Sequence, residues 1–167
     1  MSNLSLQLGS ARESFVITKI EVDKTITLRH TVLWPHKPIS YVRLPEDDMG
    51  HHYATFSSES SIAPLAVISV FLEQPPGIHE PELSELNGKP AARFRKFACQ
   101  PEYQGQGIGT SLLRHAFEAA RAELACAVIW CDARVETKGW YERRGMRAFG
   151  NTFFKGDIEY VKMLSVL

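Results

Sequence analysis

The chain has 167 residues, no net charge at neutral pH, and a composition of 44% hydrophobic and 23% charged residues. These proportions predict a globular domain with a core of its own and exclude disordered, collagen-like and coiled-coil proteins. The neutral total argues against a nucleic acid as the main ligand, because that affinity depends on clustered contacts to phosphates.

The sequence is typical of a reduced, cytoplasmic protein. It contains no apolar run of the roughly 18–20 residues that a membrane span needs, so we expect no membrane partner. Residues 1–13 lack the features of a secretory signal and are expected to form a flexible N-terminus. Cys99, Cys126 and Cys131 lie in or beside apolar strands, which favours small buried side chains over a zinc site or a nucleophile. We therefore expect no metal.

The first half of the chain predicts strands separated by a helix and two loops. The β-branched residues at 15–22 are typical of a strand, and Asp23 is placed to cap a helix that ends at Trp34 and Pro35. A loop at 38–50 follows the helix. Next come the two strands of a hairpin, at 53–56 and 62–72, of which the second is strongly apolar. A long loop at 74–90 ends this half.

A glycine-rich turn and the helix after it are the clearest features of the second half. Ile108 and the apolar residues that follow recur at helical spacing and predict a helix ending near Leu124. A short apolar strand comes next, and then a short helix that Gly145 stops. The remaining segments are strands at 91–99, 127–131, 146–149 and 158–167, and the short helix at 137–144. This order predicts one mixed α/β domain over residues 1–167.

Charge is distributed unevenly along the chain. Eight carboxylates and no lysine or arginine lie between Glu46 and Glu85, whereas twelve basic and six acidic residues lie between Leu86 and Lys155. One interpretation is that the acidic block attracts a cationic amine while the basic half binds phosphates. The alternative is that both regions are ordinary solvated surface.

The glycine-rich turn predicts an anion site. Gly105, Gly107 and Gly109 allow the backbone to approach a bulky ligand, and the free N–H groups at the start of the helix then point at it. A turn chosen for tight packing of helix on strand is the alternative. The turn does not fit a dinucleotide fingerprint, because the required acidic residue is missing. It does not fit a P-loop either, because the turn has no lysine.

The turn carries a resemblance to a known family. Residues 104–109, QGQGIG, resemble the Q/R-x-x-G-x-G/A signature of the GNAT acetyltransferase superfamily, which binds acetyl-coenzyme A. The similarity extends over RFRKFACQPEYQGQGIGTSL at 93–112 and VIWCDARVETKGWYERRGM at 128–146. Weaker similarity to one subgroup of small members covers 27–38, Asp48, His51 and 153–163. The resemblance implies an α/β fold with a central mixed, mostly antiparallel sheet, splayed at the cofactor site and flanked by helices.

The resemblance also implies how the cosubstrate acetyl-coenzyme A is held. Backbone groups of Phe97, Ala98 and Cys99 are expected to meet the pantetheine arm, and an amide near Ala98 to polarise the thioester carbonyl. The residues expected around the pyrophosphate are Gln104, Gly105, Gln106, Gly107, Ile108, Gly109 and Thr110.

For catalysis the resemblance implies a general acid at Tyr141, which would protonate the leaving thiolate. A packed aromatic side chain is the alternative for Tyr141. The strand glutamate that serves as base in some members is replaced by Arg93, so a chain of waters or another side chain takes the proton. Candidate acceptor-binding residues are Arg29, Asp48, His51, Arg95 and Asp132; candidate bases are Asp48, His51, His52 and Asp132.

The expected function is acetyl transfer from acetyl-coenzyme A to a primary amine of a small, cationic molecule by direct attack. Arg29 and Arg95 point instead toward an acceptor with a carboxylate. A protein or peptide acetyltransferase and a non-catalytic module that binds acyl-coenzyme A remain as alternatives. The oligomeric state is left open between a monomer and a homodimer.

Overall fold

A computed structural model of the chain describes residues 14–77 and 80–167, so the expected flexible segment 1–13 lies outside the described residues. The described strands form one seven-stranded sheet in the order β1-β2-β3-β4-β5-β7-β6. Neighbouring strands are antiparallel except for β4 and β5, which are parallel. The strands are β1 (Val16–Ile20), β2 (His51–Phe56), β3 (Ala66–Leu72), β4 (Ala91–Cys99), β5 (Val128–Arg134), β6 (Arg147–Lys155) and β7 (Ile158–Val166). The predicted mixed, mostly antiparallel sheet is confirmed.

Three α-helices flank the sheet in the part of the chain that the structure describes. They are α1 (Asp23–Leu28), α2 (Ile108–Ala122) and α3 (Lys138–Glu142), and α1 continues into a π-helical turn, Arg29–Leu33. Short 3-10 turns lie at Ile39–Val42, Asp47–Met49, Pro81–Leu86, Pro101–Tyr103 and Val135–Thr137. No helix within 14–77 or 80–167 combines the length and the apolar character needed to cross a membrane.

Asp23 does not cap α1 as expected. It is the first residue of the helix, and the N-cap position is Val22, whose side chain forms no capping hydrogen bond. The Asp23 carboxylate instead accepts a hydrogen bond from Arg43, in the loop that follows the helix. Asp23 therefore connects α1 to that loop.

Helix α2 covers one face of the sheet. Its buried side chains are Ile108, Leu112, Leu113, Ala116, Ala119 and Ala120, which includes every apolar position that the periodicity predicts. They pack in one core with Tyr53, Ile68, Phe94, Ile129 and Met163 of the strands. Each fully buried aliphatic side chain of this kind contributes about 1.5–3 kcal/mol to folding.

Helix α1 lies against the opposite face of the sheet. Leu28 packs there with Ala54, Phe56, Val67 and Ala98 in a second, smaller core. The sheet is therefore covered on both faces near its centre, and β4 contacts both cores.

The parallel strands β4 and β5 pair over only three residues each. Ala91–Arg93 lie opposite Val128–Trp130, and beyond them the two strands have no paired positions. Phe94, Arg95, Ala98 and Cys99 of β4 continue to pair with β3, while Cys131–Arg134 continue to pair with β7. The sheet consequently opens between its two central strands, and the site described next lies at that opening.

Candidate functional site

A cavity of about 710 Å³ lies at the opening between β4 and β5. Trp34 and Tyr41, from the segment after α1, form one wall, and Tyr141 of α3 and Tyr160 of β7 form part of another. Seven of the residues predicted for the site line it together: Arg95, Phe97, Ala98, Cys99, Gln104, Asp132 and Tyr141. The opening in the sheet thus brings both predicted groups, cofactor-binding and acceptor-binding, into one space.

The end of β4 is joined to the glycine-rich turn. Gln104 Nε2 donates a hydrogen bond to the backbone oxygen of Cys99, at 3.1 Å. The Phe97 ring packs against Trp140 and lies 3.6 Å from the position that a Cβ on Gly109 would occupy. The strand edge and the start of α2 therefore form one continuous surface.

The turn exposes backbone amides at the start of α2. Gly105 and Gly107 have φ of +76° and +84°, values that glycine adopts without strain. The first backbone hydrogen bond of the helix runs from Ser111 N to Gly107 O, at 3.0 Å. The amides of 105–110 donate no hydrogen bond to any part of the chain that the structure describes. Free amides at the positive end of a 15-residue helix form an anion site.

Arg144 adds positive charge beside this turn. Its Nε donates to Thr110 Oγ1 at 2.9 Å, and its guanidinium lies 3.6 Å from the centre of the Trp140 ring. Burial and the positive charges of Arg143 and Arg114 lower the pKa of Arg144. Arg144 was absent from the predicted site, because it reaches the turn from the segment that follows α3.

Tyr141 presents a neutral phenol to the cavity. Its ring lies 5.9 Å from that of Phe94 and 5.0 Å from that of Trp140. Its hydroxyl makes no hydrogen bond within residues 14–77 and 80–167, although the side chain lines the cavity. Burial, with a smaller effect from Cys131, raises the pKa of Tyr141 above its usual range. The hydroxyl thus keeps its proton at physiological pH and is free to donate it to a ligand.

Asp132 lies directly beyond the last paired residues of the two parting strands. Its Oδ2 accepts hydrogen bonds from Arg93 at 2.6 Å and from Lys155 at 2.9 Å. Its Oδ1 is buried and has no partner among the described residues. Arg93 also binds Glu73 at 3.0 Å and lies over the Trp130 ring. The position of the missing glutamate is therefore occupied by a cation that orients Asp132.

Arg29 does not reach the cavity, so its predicted contact with an acceptor is wrong. Its side chain is 0% exposed and forms a two-point ion pair with Asp47, at 2.8 and 3.0 Å. The guanidinium also donates to Ser69 Oγ at 2.8 Å and to the backbone oxygen of Val42 at 3.1 Å. Its charge is used inside the protein, where it fastens the loop after α1 to the sheet.

Asp48 and His51 also lie away from the cavity lining. Asp48 is exposed on a 3-10 turn. His51 shares a face of β2 with Tyr53, which contacts His115 of α2. His51 Nδ1 is 3.2 Å from Lys19 Nζ. Neither residue lines the cavity, so the acceptor-binding role of each stays a prediction.

The acidic block does not form one surface. Its carboxylates bond to separate parts of the molecule: Glu46 to Arg95, Asp47 to Arg29, Glu73 to Arg93, Glu82 to the Gly150 amide and Glu85 to Arg147. The charged residues that line the cavity are Arg93, Arg95, Lys96, Arg134, Lys155, Asp132 and Glu136. Cations outnumber carboxylates in this lining. The lining therefore does not provide the expected attraction for a cationic acceptor. Lys96 was not among the predicted residues.

Within the described ranges, no cluster of three histidine, cysteine, aspartate or glutamate side chains could hold a metal ion. The three cysteines are free thiols, and burial raises the pKa of each. A thiol with a raised pKa is a poor nucleophile at neutral pH. The chemistry of the cavity therefore depends on Tyr141, Asp132, the basic residues and backbone amides.

Comparisons with known proteins agree with this geometry. Residues 75–147 match the profile of a family described as the acetyltransferase (GNAT) domain. The uncharacterized N-acetyltransferase YitI of Bacillus subtilis (strain 168) is 31% identical over 139 residues, which cover 82% of this chain and 85% of YitI.

Solved structures share the fold. A Lactobacillus plantarum protein assigned as an N-acetyltransferase superposes with a TM-score of 0.72 at 17% identity, over 92% of this chain and 99% of that one. A Bacillus subtilis acetyltransferase in complex with coenzyme A superposes with a TM-score of 0.63 at 16% identity, over 92% and 99%.

Proposed function

Since the chain belongs to the GNAT superfamily of N-acetyltransferases, we propose that it transfers the acetyl group of acetyl-coenzyme A to a primary amine of a small molecule. The observation that carries the proposal is the position of the cavity beside the glycine-rich turn. Cys99 and Gln104 line the cavity, and the exposed amides of 105–110 follow directly after Gln104. This shape suits a long donor with a diphosphate at one end and a reactive thioester at the other.

In the proposed complex the amides of 105–110 bind the pyrophosphate, and Arg144 adds charge beside them. The free backbone edge of β4 at Phe97–Cys99 binds the pantetheine arm, because β5 has already moved away at that point. An amide near Ala98 donates to the thioester oxygen and stabilises the negative charge that develops there during attack.

The reaction is a direct attack of the neutral amine on the thioester carbon. A C–N bond forms, the C–S bond breaks, and the electron pair of that bond leaves on the sulfur of coenzyme A. Tyr141 protonates the thiolate, a role supported by the free hydroxyl that it presents at the cavity. The acceptor amine lies near Asp132, which lines the cavity.

We expect the best acceptors to be amines without a second positive charge. Arg93, Arg95 and Lys155 stand on the acceptor side of the cavity and disfavour polyamines. A panel that compares polyamines, aminoglycosides and amino acids at low and high salt tests this preference. A polyamine as the fastest acceptor at low salt would contradict it.

Release of free thiol from acetyl-coenzyme A tests the transfer itself. With an amine that the wild type acetylates, Tyr141→Phe is expected to lower kcat by about a hundredfold, because general acid catalysis contributes roughly that much or more. Its affinity for coenzyme A should not change. Tyr53→Phe is the matched control, because the Tyr53 hydroxyl binds Glu123 away from the cavity.

Three outcomes separate the candidate functions. Thiol release that depends on Tyr141 supports the proposal, and equal kcat values for Tyr141→Phe and Tyr53→Phe remove Tyr141 from the mechanism. Tight binding of coenzyme A without thiol release for any amine would indicate a non-catalytic module instead.

A further inference from the structure

Lys96 lies at a bulge in β4, where the strand borders the cavity. Ile68 of β3 lies opposite two residues, Lys96 and Phe97, because the register shifts between Val67 and Ser69. Lys96 has φ of +53°, a left-handed conformation that residues with a side chain rarely adopt. Backbone conformations of this kind are concentrated at functional sites.

The amine of Lys96 is available to a ligand. The side chain is half-buried and lines the cavity, and its Nζ makes no hydrogen bond or ion pair with residues 14–77 or 80–167. Three other cations of the cavity are already in ion pairs: Arg93 with Glu73 and Asp132, Arg95 with Glu46, and Lys155 with Asp132. Lys96 therefore differs from these three in having no carboxylate to hold its charge.

The surroundings of Lys96 favour its neutral form. The charged groups that face it are Arg29 from the turn after α1, Asp47 from the following loop, Arg95 from β4 and Lys155 from β6. Burial lowers the pKa of Lys96, the three cations lower it further, Asp47 opposes them, and the resulting value is about 8. A lysine with this pKa can take up and release a proton near neutral pH.

Building on the proposed function, we propose that Lys96 is the general base that removes a proton from the attacking amine. The other groups at this point of the cavity are poorly suited to the task. The Arg93 guanidinium has no acceptor atom, and Asp132 Oδ2 already accepts hydrogen bonds from Arg93 and Lys155.

The proton balance of the reaction is complete with this assignment. An ammonium acceptor loses two protons when it becomes an amide. Neutral Lys96 takes one of them, becomes an ammonium ion and releases the proton to solvent after the product leaves. The other replaces the proton that Tyr141 gives to the thiolate, so both side chains return to their starting forms.

Competitive labelling measures the proton affinity of Lys96 without any acceptor. The folded protein is treated with trace acetic anhydride across a pH series, and the labelling of each lysine is read by mass spectrometry. We expect Lys96 to label with a midpoint near pH 8, and the exposed Lys89 serves as the reference lysine in the same samples. The same midpoint for both residues would overturn the proposal.

Kinetics of two variants distinguish a base from a fixed charge. With an amine that the wild type acetylates, Lys96→Met and Lys96→Arg should both lose about a hundredfold in kcat. Both should also lose the rise of kcat/KM with pH that is centred near 8 in the wild type. A rise caused by ionisation of the acceptor itself will remain in all variants. Lys89→Arg is the control, and circular dichroism confirms that the variants fold.

Each alternative result has a definite meaning. If Lys96→Arg keeps the wild-type kcat while Lys96→Met raises KM, the positive charge of Lys96 binds an anionic acceptor and the base assignment is overturned. If both variants match the wild type, Lys96 has no part in the reaction. Absence of thiol release from the wild type itself refutes the proposed function, and with it the role of Lys96.

Discussion

Arg29 and Asp47 form a buried ion pair that stabilises the fold and does not line the cavity. Asp47 is 3% exposed and accepts from both Arg29 and the Leu44 amide. His52 completes the cluster through Ser69 Oγ at 2.7 Å and the backbone oxygen of Asp47 at 2.9 Å. Burial by itself raises the pKa of Asp47, but the hydrogen bonds from Arg29 and Leu44 outweigh it and lower that pKa.

Removing Arg29 should therefore damage stability. Arg29→Met leaves the Asp47 carboxylate buried without its partner, and we expect the free energy of unfolding to fall by about 3–5 kcal/mol. Urea unfolding measures the change. Arg43→Met is the control: its pair with Asp23 is exposed, and it should lose less than about 1 kcal/mol. Similar losses in the two variants would contradict the assigned role.

Single residues were hardest to predict where their partners are distant in sequence. Arg29 was predicted to bind an acceptor because its positive charge suits a carboxylate. In the folded protein that charge is paired with Asp47, in a loop whose position the sequence does not predict. Lys96 could not be predicted because the bulge depends on how β3 and β4 align. Tyr141, Asp132 and Arg95 were placed at the cavity by family motif and charge, which are local properties of the sequence.

The elements followed the sequence more closely than the single residues did. Apolar spacing predicted the start of α2 at Ile108, and the strand predicted at 91–99 has the observed bounds of β4. The π-helical turn after α1 was missed, because the sequence predicted one continuous helix from Asp23 to Trp34. Long-range pairing, in particular where β4 and β5 part, has no signature within either strand.

A substitution at Gly107 tests the role of the glycine-rich turn before α2. Gly107→Ala introduces a side chain at φ +84°, which costs about 1–2 kcal/mol or shifts the amides that follow. We expect the Kd for coenzyme A to rise about tenfold, which corresponds to roughly 1.4 kcal/mol. Isothermal titration calorimetry measures it.

Gly156→Ala is the matched control for this prediction. Gly156 has φ of +60° in the turn between β6 and β7, and, as at Gly107, a Cβ there would meet no atom within 4 Å. The two variants should lose similar stability, and Gly156→Ala should keep the wild-type affinity. Equal loss of affinity in both variants would show that the turn before α2 has no special contact with coenzyme A.

At the scale of the whole molecule, the fold separates charges that are adjacent in sequence. Glu46 and Asp47 are consecutive, but they pair with Arg95 at the cavity and with Arg29 in the interior. Glu85 pairs with Arg147 of β6 at the far edge of the sheet. Charge order along the chain therefore could not predict which charges line the cavity, whereas one basic residue of the second half, Arg144, does lie beside the glycine-rich turn.

The proposed function requires coenzyme A to lie across the opening between the central strands and along the glycine-rich turn. Titration of the ¹⁵N-labelled protein with coenzyme A, followed by amide NMR spectra, tests this most directly. We predict saturable shifts concentrated at residues 97–99 and 105–110, with the amides near Gly156 unchanged. Shifts confined to other parts of the chain, or no saturable binding by the folded protein, would contradict the account.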